Sequence, residues 1–271
     1  MSHKILPIIV IYRCQLRDAV AYATFVRQNK FAHLVVYDNS PADYHQTEKN
    51  IPHEIHYVHD IHNGGLSKAY NYGATLAKEL GYDFVLLLDQ DTEFPADALQ
   101  QYIAATKYHM LIVPNVVLKT GLCFSPVSSG WFGVRPVNLP EGVYSMSTYN
   151  AINSGCCVPV DLYWQAGGYN EAVRLDFSDY EFQRRLRNVS TSLYVLPLVA
   201  RQDFSNDEQN KEKLLTRFHF FLEGANGCEL SGVRERMQMF VMVLKHTLAL
   251  SLRTKNWKFI ILYLKKYLLH R

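Results

Sequence analysis

The chain has 271 residues, 48% of them apolar and 20% charged, without low-complexity stretches; this suits one large globular domain with an appendage and excludes a disordered or fibrous protein. Its net charge of +3 is unevenly spread: eight Lys or Arg and no acid follow position 235, leaving 20 basic against 25 acidic residues before it, which argues against a nucleic-acid-binding body. Five cysteines, an odd number with no C-x-x-C pair, speak against a disulfide or zinc framework and for a reduced, cytosolic compartment.

The opening MSHKILPIIVIYRC has the charged end and short apolar run of a signal peptide but no small-residue cleavage site, and it reads instead as a first strand over 5–12. Periodicity then predicts a helix over 16–30, strands over 33–37 and 54–58, a helix over 67–80, a strand over 84–88 and a helix over 95–107. This alternation predicts an α/β fold with a mainly parallel central sheet flanked by helices, whose ligands gather at the carboxyl ends of the strands. Residues 108–160 are less regular and are read as more sheet with loops over the site. Helices follow over 161–166, closed by Gly167-Gly168, and over 178–188, where Ser178 and Glu181 have the S-x-x-E spacing of a capping box. A strand over 192–200 ends the first domain, taken as 1–205. Residues 206–271 form a basic, helical C-terminal extension, and no apolar run reaches the ~20 residues of a spanning helix.

Each of the first four strands ends in polar residues: Tyr12-Arg13, Asp38-Asn39-Ser40, then Asn63-Gly64-Gly65 after the third, and Asp89-Gln90-Asp91. Four such ends on one sheet edge make a site. Two carboxylates one residue apart repel unless a cation lies between them, and a hard divalent ion such as Mg2+ or Mn2+ takes oxygen ligands. Helix capping around Thr92 and Pro95 is the rival explanation. A haloacid-dehalogenase-type phosphatase also carries D-x-D after a buried strand, but it wants Thr or Val where this chain has Glu93. His53, His56, His59 and His62 recur every three residues, a spacing that scatters them over both faces of a strand and argues against a four-His metal site.

Taken in order, IIVIYRCQ, VVYDNSP, HNGGLSKAYNYG, LLLDQDTEFP and GGYNEAVRLDFSDYEFQRRL resemble family 2 glycosyltransferases with the GT-A fold over about residues 4–205, and the D-Q-D form is most similar to the rhamnosyltransferase branch. The resemblance implies an inverting, metal-assisted enzyme that takes a sugar from a dTDP or UDP donor, rhamnose favoured over a hexose or N-acetylhexosamine. Its acceptor would be lipid-linked or polysaccharide, in bacterial surface glycan synthesis on the inner face of the cell membrane. Asp91 is then the direct ligand of Mn2+ or Mg2+, and Asp89 holds the ribose or the metal, directly or through a water. Asp38 accepts from the pyrimidine base, with an Asx-turn to Ser40 as its competing explanation. Tyr12, Asn63 and Gly65 line the nucleotide-sugar loop, and Lys68 is a mobile cation near the phosphates unless it is a solvated helix-face lysine. Asn71 braces the loop.

Asp179, six residues before Arg185 as the family's base stands before its arginine, is the proton acceptor. The chain departs from the family in ARQDFS, where Gln202 and Asp203 replace a His that completes the metal site. Because of that departure a catalytically silent sugar-nucleotide binding module is the alternative reading. In the tail, Trp257, Phe259, Ile260, Tyr263 and Leu264 among Lys258, Lys265 and Lys266 suit a helix lying on an anionic membrane surface.

Overall fold

The computed structural model describes residues 3–44, 46, 54–130, 133–203 and 211–269. His53 and the expected domain boundary at 205/206 lie outside these residues. The first half alternates as the sequence predicts: β1 (Ile5–Ile11), β2 (Leu34–Asp38), β3 (Ile55–His59), α1 (Gly65–Glu79), β4 (Phe84–Asp89), β5 (Thr92–Glu93) and α2 (Ala98–Ala105). There follow β6 (Leu111–Leu118), β7 (Cys123–Ser125), β8 (Val127–Gly130), β9 (Gly133–Pro136), β10 (Gly142–Ser145), β11 (Tyr149–Asn150) and β12 (Cys157–Pro159). The chain continues with α3 (Val160–Gln165), α4 (Ser178–Leu186), β13 (Ser192–Gln202), α5 (Lys211–Gly227), α6 (Val233–Thr254) and α7 (Lys258–Tyr263).

The main sheet runs β10-β13-β6-β12-β4-β1-β2-β3. β3, β2, β1 and β4 are mutually parallel and so are β13 and β6, while the three-residue β12 lies antiparallel between β4 and β6. Every residue of β1 is buried because both faces are covered, which is why ILPIIVI reads as a continuous apolar run. Leu6, Ile8 and Val10 pack with Ala69, Tyr70 and Ala74 of α1; Ile5, Ile9 and Ile11 face Phe25, Ala98 and Tyr102 on the other side.

Two expectations are corrected here. The continuous helix over 16–30 is broken: a 3-10 turn spans Leu16–Asp18 and a single π turn Tyr22–Val26, with Arg27 N–H reaching the Tyr22 carbonyl. Thr24 lies within the π turn, and its hydroxyl donates to the Val20 carbonyl at 2.8 Å and accepts from Phe94 N–H at 3.2 Å, tying the turn to the residue after β5. The capping box is not formed. Ser178 Oγ donates to the Leu175 carbonyl, and buried Glu181 instead makes two 2.7 Å bonds to Arg185 Nε and Nη2.

The extension packs as helices on the sheet domain. Phe218, Leu222, Val243, Phe259, Tyr263 and Tyr267 form a third apolar cluster that includes Val173, with Phe177 against its rim. No helix among the described residues is long and apolar enough to cross a membrane.

Candidate active site

Strand register builds the site. Ile11 pairs with Asp38 and Val10 with Asp89, so the two aspartates flank the end of β1. β5 turns back and pairs with β13, setting Gln202 opposite Thr92, and Gln202 Nε2 donates to Asp91 Oδ1 at 3.0 Å. The end of β13, 111 residues away in sequence, is thereby brought onto the D-Q-D turn.

Half-buried Asp89 accepts from Tyr70 OH on α1 at 3.0 Å and from Ser154 Oγ. Burial raises its pKa, and those hydrogen bonds only partly offset the rise. Burial, then the neighbouring Asp89 charge, pushes Asp91 up to about 6. The middle residue of the triplet locks the turn to β1, since Tyr12 N–H donates to Gln90 Oε1 at 2.8 Å.

Asp179 opens α4, with Tyr180 N–H donating to its Oδ1 at 2.7 Å. Burial raises it to about 6, and the charges of Asp176 and Asp89 act in the same direction. Asp89 and Asp179 thus act on each other electrostatically. The loop after β11 joins the two: Ser154 holds Asp89, while Asn153 Nδ2 donates to Ser178 Oγ at 3.0 Å and Asn153 Oδ1 accepts from Tyr169 OH at 2.7 Å. Gly155 allows the loop to pass, because a Cβ there would stand 2.7 Å from Pro114 Cγ and 2.9 Å from Tyr102 Oη.

Three expected nucleotide residues have partners within the chain. Asp38 is fully buried; its Oδ1 accepts from Ser40 N–H at 2.9 Å in an Asx-turn, and its Oδ2 accepts from Tyr57 OH at 2.7 Å and Gln46 Nε2 at 3.0 Å. A base would reach Asp38 through the remaining acceptor site of Oδ1 or by displacing one of these donors. Lys68 is not a loose cation: its Nζ lies 2.8 Å from Asp60 Oδ2, which also takes Tyr37 OH at 2.8 Å. Asp60 is buried, but the Lys68 and Tyr37 hydrogen bonds outweigh desolvation and hold it at about 2. Gly65, at φ +86°, leaves room that the main chain takes, since a Cβ there would sit 2.3 Å from the Arg174 carbonyl oxygen, which accepts from Leu66 N–H at 2.7 Å. The first turn of α1 thus caps the loop that leads to Asp179. Asn63, at φ +50°, shapes the same turn.

Asn71 braces as expected. Its Nδ2 donates to the Tyr169 carbonyl at 2.9 Å, and its Oδ1 accepts from Tyr169 N–H and Tyr163 OH, both at 2.8 Å. His56 and His59 diverge: His56 packs at a tilt against His33, ring centroids 5.4 Å apart, whereas His59 Nε2 sits 3.0 Å from the Ser40 carbonyl. Sequence reasoning missed Asp60, Tyr70, Gln90, Asn153 and Ser154. Only the Asn-Ser-Gly turn at 153–155 carried a local signal.

The donor set fits a hard divalent cation. Two carboxylates share the turn, both disfavoured as anions by burial, and the buried Gln202 Oε1 has no hydrogen-bond partner. The Gln202 amide presents its nitrogen to Asp91, so its partnerless oxygen would join the two carboxylates in an oxygen-only cation site once the amide is turned over.

Residues 8–127 match the family model described as glycosyl transferase family 2. The dTDP-rhamnosyl transferase RfbF of Shigella flexneri is 23% identical over 230 residues, covering 78% of this chain and 72% of its own. Among solved structures, GalNAc-T7 with UDP, GalNAc and Mn2+ superposes with a TM-score of 0.56 at 12% identity, over 77% of this chain and 45% of that one. The 1–349 fragment of S. aureus TarS gives 0.51 at 13% identity, over 94% and 74%. This chain therefore spans less than half of the GalNAc-T7 structure but most of RfbF and of the TarS fragment. These likenesses establish the GT-A fold.

Proposed function

We propose, for a chain whose residues 8–127 are a family 2 glycosyltransferase domain on a GT-A fold, that it transfers a sugar from a nucleotide-diphosphate donor to an acceptor hydroxyl with inversion. The observation that carries this reading is the meeting of Asp89, Asp91 and Gln202 at one sheet edge, linked through Ser154 and Asn153 to Ser178, the neighbour of Asp179, whose carboxyl burial raises to about 6. A carboxylate with that pKa is ionised at neutral pH and still basic enough to take the acceptor proton. The acceptor oxygen then attacks the anomeric carbon from the face opposite the diphosphate, and the carbon–oxygen bond to the diphosphate breaks with its electron pair. Asp91 and Asp89, joined by Gln202 Oε1 when its amide is turned over, are the residues that would hold Mn2+ or Mg2+, which when bound supplies Lewis acidity at the leaving diphosphate. Asp89, held by Tyr70 and Ser154, is oriented for the ribose or the ion.

The donor is proposed as dTDP-rhamnose because the curated relative is a dTDP-rhamnosyl transferase; the UDP in the GalNAc-T7 structure keeps UDP sugars as the alternative. The acceptor is proposed as a lipid-linked or polysaccharide glycan of a bacterial surface, and the enzyme as cytoplasmic and peripheral to the membrane.

Donor turnover with a panel of dTDP and UDP sugars, with and without Mn2+, tests the reading. Wild-type turnover that Asp91→Ala abolishes supports it, as does Asp179→Asn that binds donor but transfers nothing. Donor binding without turnover on any acceptor would instead make the chain a silent binding module, and hydrolysis of simple phosphomonoesters would make it a phosphatase.

A further inference from the structure

The last helix, α7 continued by a π turn over Leu264–Leu268, has two faces of different fate. Phe259, Tyr263 and Tyr267 point inward and are buried against the rest of the extension. Trp257, Ile261, Leu264 and Leu268, at i, i+4, i+7 and i+11, are exposed, Trp257 to 73%. Leu248 and Leu252, one turn apart near the end of α6, are exposed too, Leu252 to 77%. Scattered exposed apolar residues need no explanation, but a helical stripe that follows a second exposed pair across the turn at Lys255 does.

Charge identifies the occupant. Arg253, Lys255, Lys258, Lys265 and Lys266 are all exposed around this stripe, and no acid follows Glu235. A covering surface must therefore be apolar in depth and anionic at its rim, which is the make-up of an anionic bilayer interface. Trp257, at the corner between the helices, is the side chain suited to the headgroup boundary.

We propose that the α6–α7 corner is a docking surface for an anionic bilayer, with the last helix lying in the interface plane on its Trp257/Ile261/Leu264/Leu268 stripe. The sequence-based expectation of a membrane face is thereby redrawn: Phe259 and Tyr263 belong to the interior, and Ile261 and Leu268 take their place. The last helix is tied through α5 to the loop that presents Asp179. Asn226 Nδ2 donates to the Lys266 carbonyl at 2.7 Å, and Gly224 lets α5 approach so closely that a Cβ would sit 2.4 Å from the Asp176 carbonyl oxygen. Docking would hold the Asp179 loop at a fixed height above the lipid, an arrangement that gains its purpose from the lipid-linked acceptor proposed above.

Sedimentation of the full chain with vesicles tests this, comparing phosphatidylethanolamine mixed with phosphatidylglycerol against phosphatidylcholine alone. The expected result is binding to the anionic vesicles that weakens with salt, with a blue-shifted Trp emission that Trp257→Phe removes. Ile261→Glu/Leu264→Glu should lower partitioning at least about tenfold while leaving turnover of soluble donor at the wild-type level. Wild-type chain remaining in the supernatant, or partitioning unchanged in the double variant, would overturn the proposal; so would a stable dimer in solution that the double variant dissolves, which would assign the stripe to a second copy. Vesicle binding by a chain that turns over no donor would leave the docking surface standing and remove the enzymatic reading.

Discussion

Asp179 sits where burial and the charges of Asp176 and Asp89 disfavour its anion, at a pKa of about 6 against an ordinary value near 3.8. A carboxyl whose folded pKa is raised contributes most stability below the unfolded value and loses that contribution as pH climbs through 6. Asp179→Asn should therefore raise the unfolding free energy by on the order of 1–2 kcal/mol at pH 7.5 and hardly at all at pH 4, measured by urea titration at both pH values. Wild-type transfer should fall as pH drops below about 6, while donor affinity of the Asn variant stays. Asp60 has the opposite sign. Held at about 2 chiefly by Lys68 and Tyr37 against desolvation, it stabilises the fold above pH 4, and that contribution fades as pH falls towards 2. Asp60→Asn should cost about 2 kcal/mol at pH 7 and little at pH 2. At Gln202 the expectation concerns metals: Gln202→His replaces an amide oxygen by imidazole, and should tighten Mn2+ or Co2+ binding relative to Mg2+ by roughly tenfold in calorimetry without donor.

Among the elements, the first turn of α1 shows how a motif can carry the right residues for a different local reason. HNGGLSKAYNYG has the glycines expected of a ligand-approach loop, yet Gly65 makes space for the Arg174 carbonyl and Gly64 for Lys68 and Asp60. Gly65→Ala meets both a left-handed backbone and a 2.3 Å approach to main-chain oxygen, so it should destabilise by at least about 2 kcal/mol in denaturant titration. It should also loosen the Asp179 loop, seen as faster amide exchange at Leu66, whose N–H is bound to the Arg174 carbonyl. The start of α4 was misread for a related reason. S-x-x-E spacing matches a capping box, but Asn153 claims the Ser178 hydroxyl and Arg185 claims Glu181, partners that sequence spacing at 178–181 cannot reveal.

At the scale of the molecule, the sheet is covered on both faces and the extension adds a third apolar cluster around Val173. The two faces of the last helix should separate by mutation. Phe259→Ala empties a fully buried site and should cost about 3–5 kcal/mol, whereas exposed Trp257→Ala should stay within about 0.5 kcal/mol in the same melts.

What the sequence determined by itself was the order of the first four strands and of the helices after the third and fourth, the parallel character of those strands and the edge on which their polar ends collect. Those follow from local periodicity, because a strand buried on both faces must be apolar throughout and polar residues can begin only where it leaves the core. The tertiary structure alone decided which polar groups meet: Gln202 reaches Asp91 across 111 residues, Ser154 reaches Asp89 across 65, and buried Asp60 pairs with the exposed Lys68. Hydrogen bonds between distant segments leave no period in the chain, and they are made or refused only when packing sets their atoms within about 3 Å of one another.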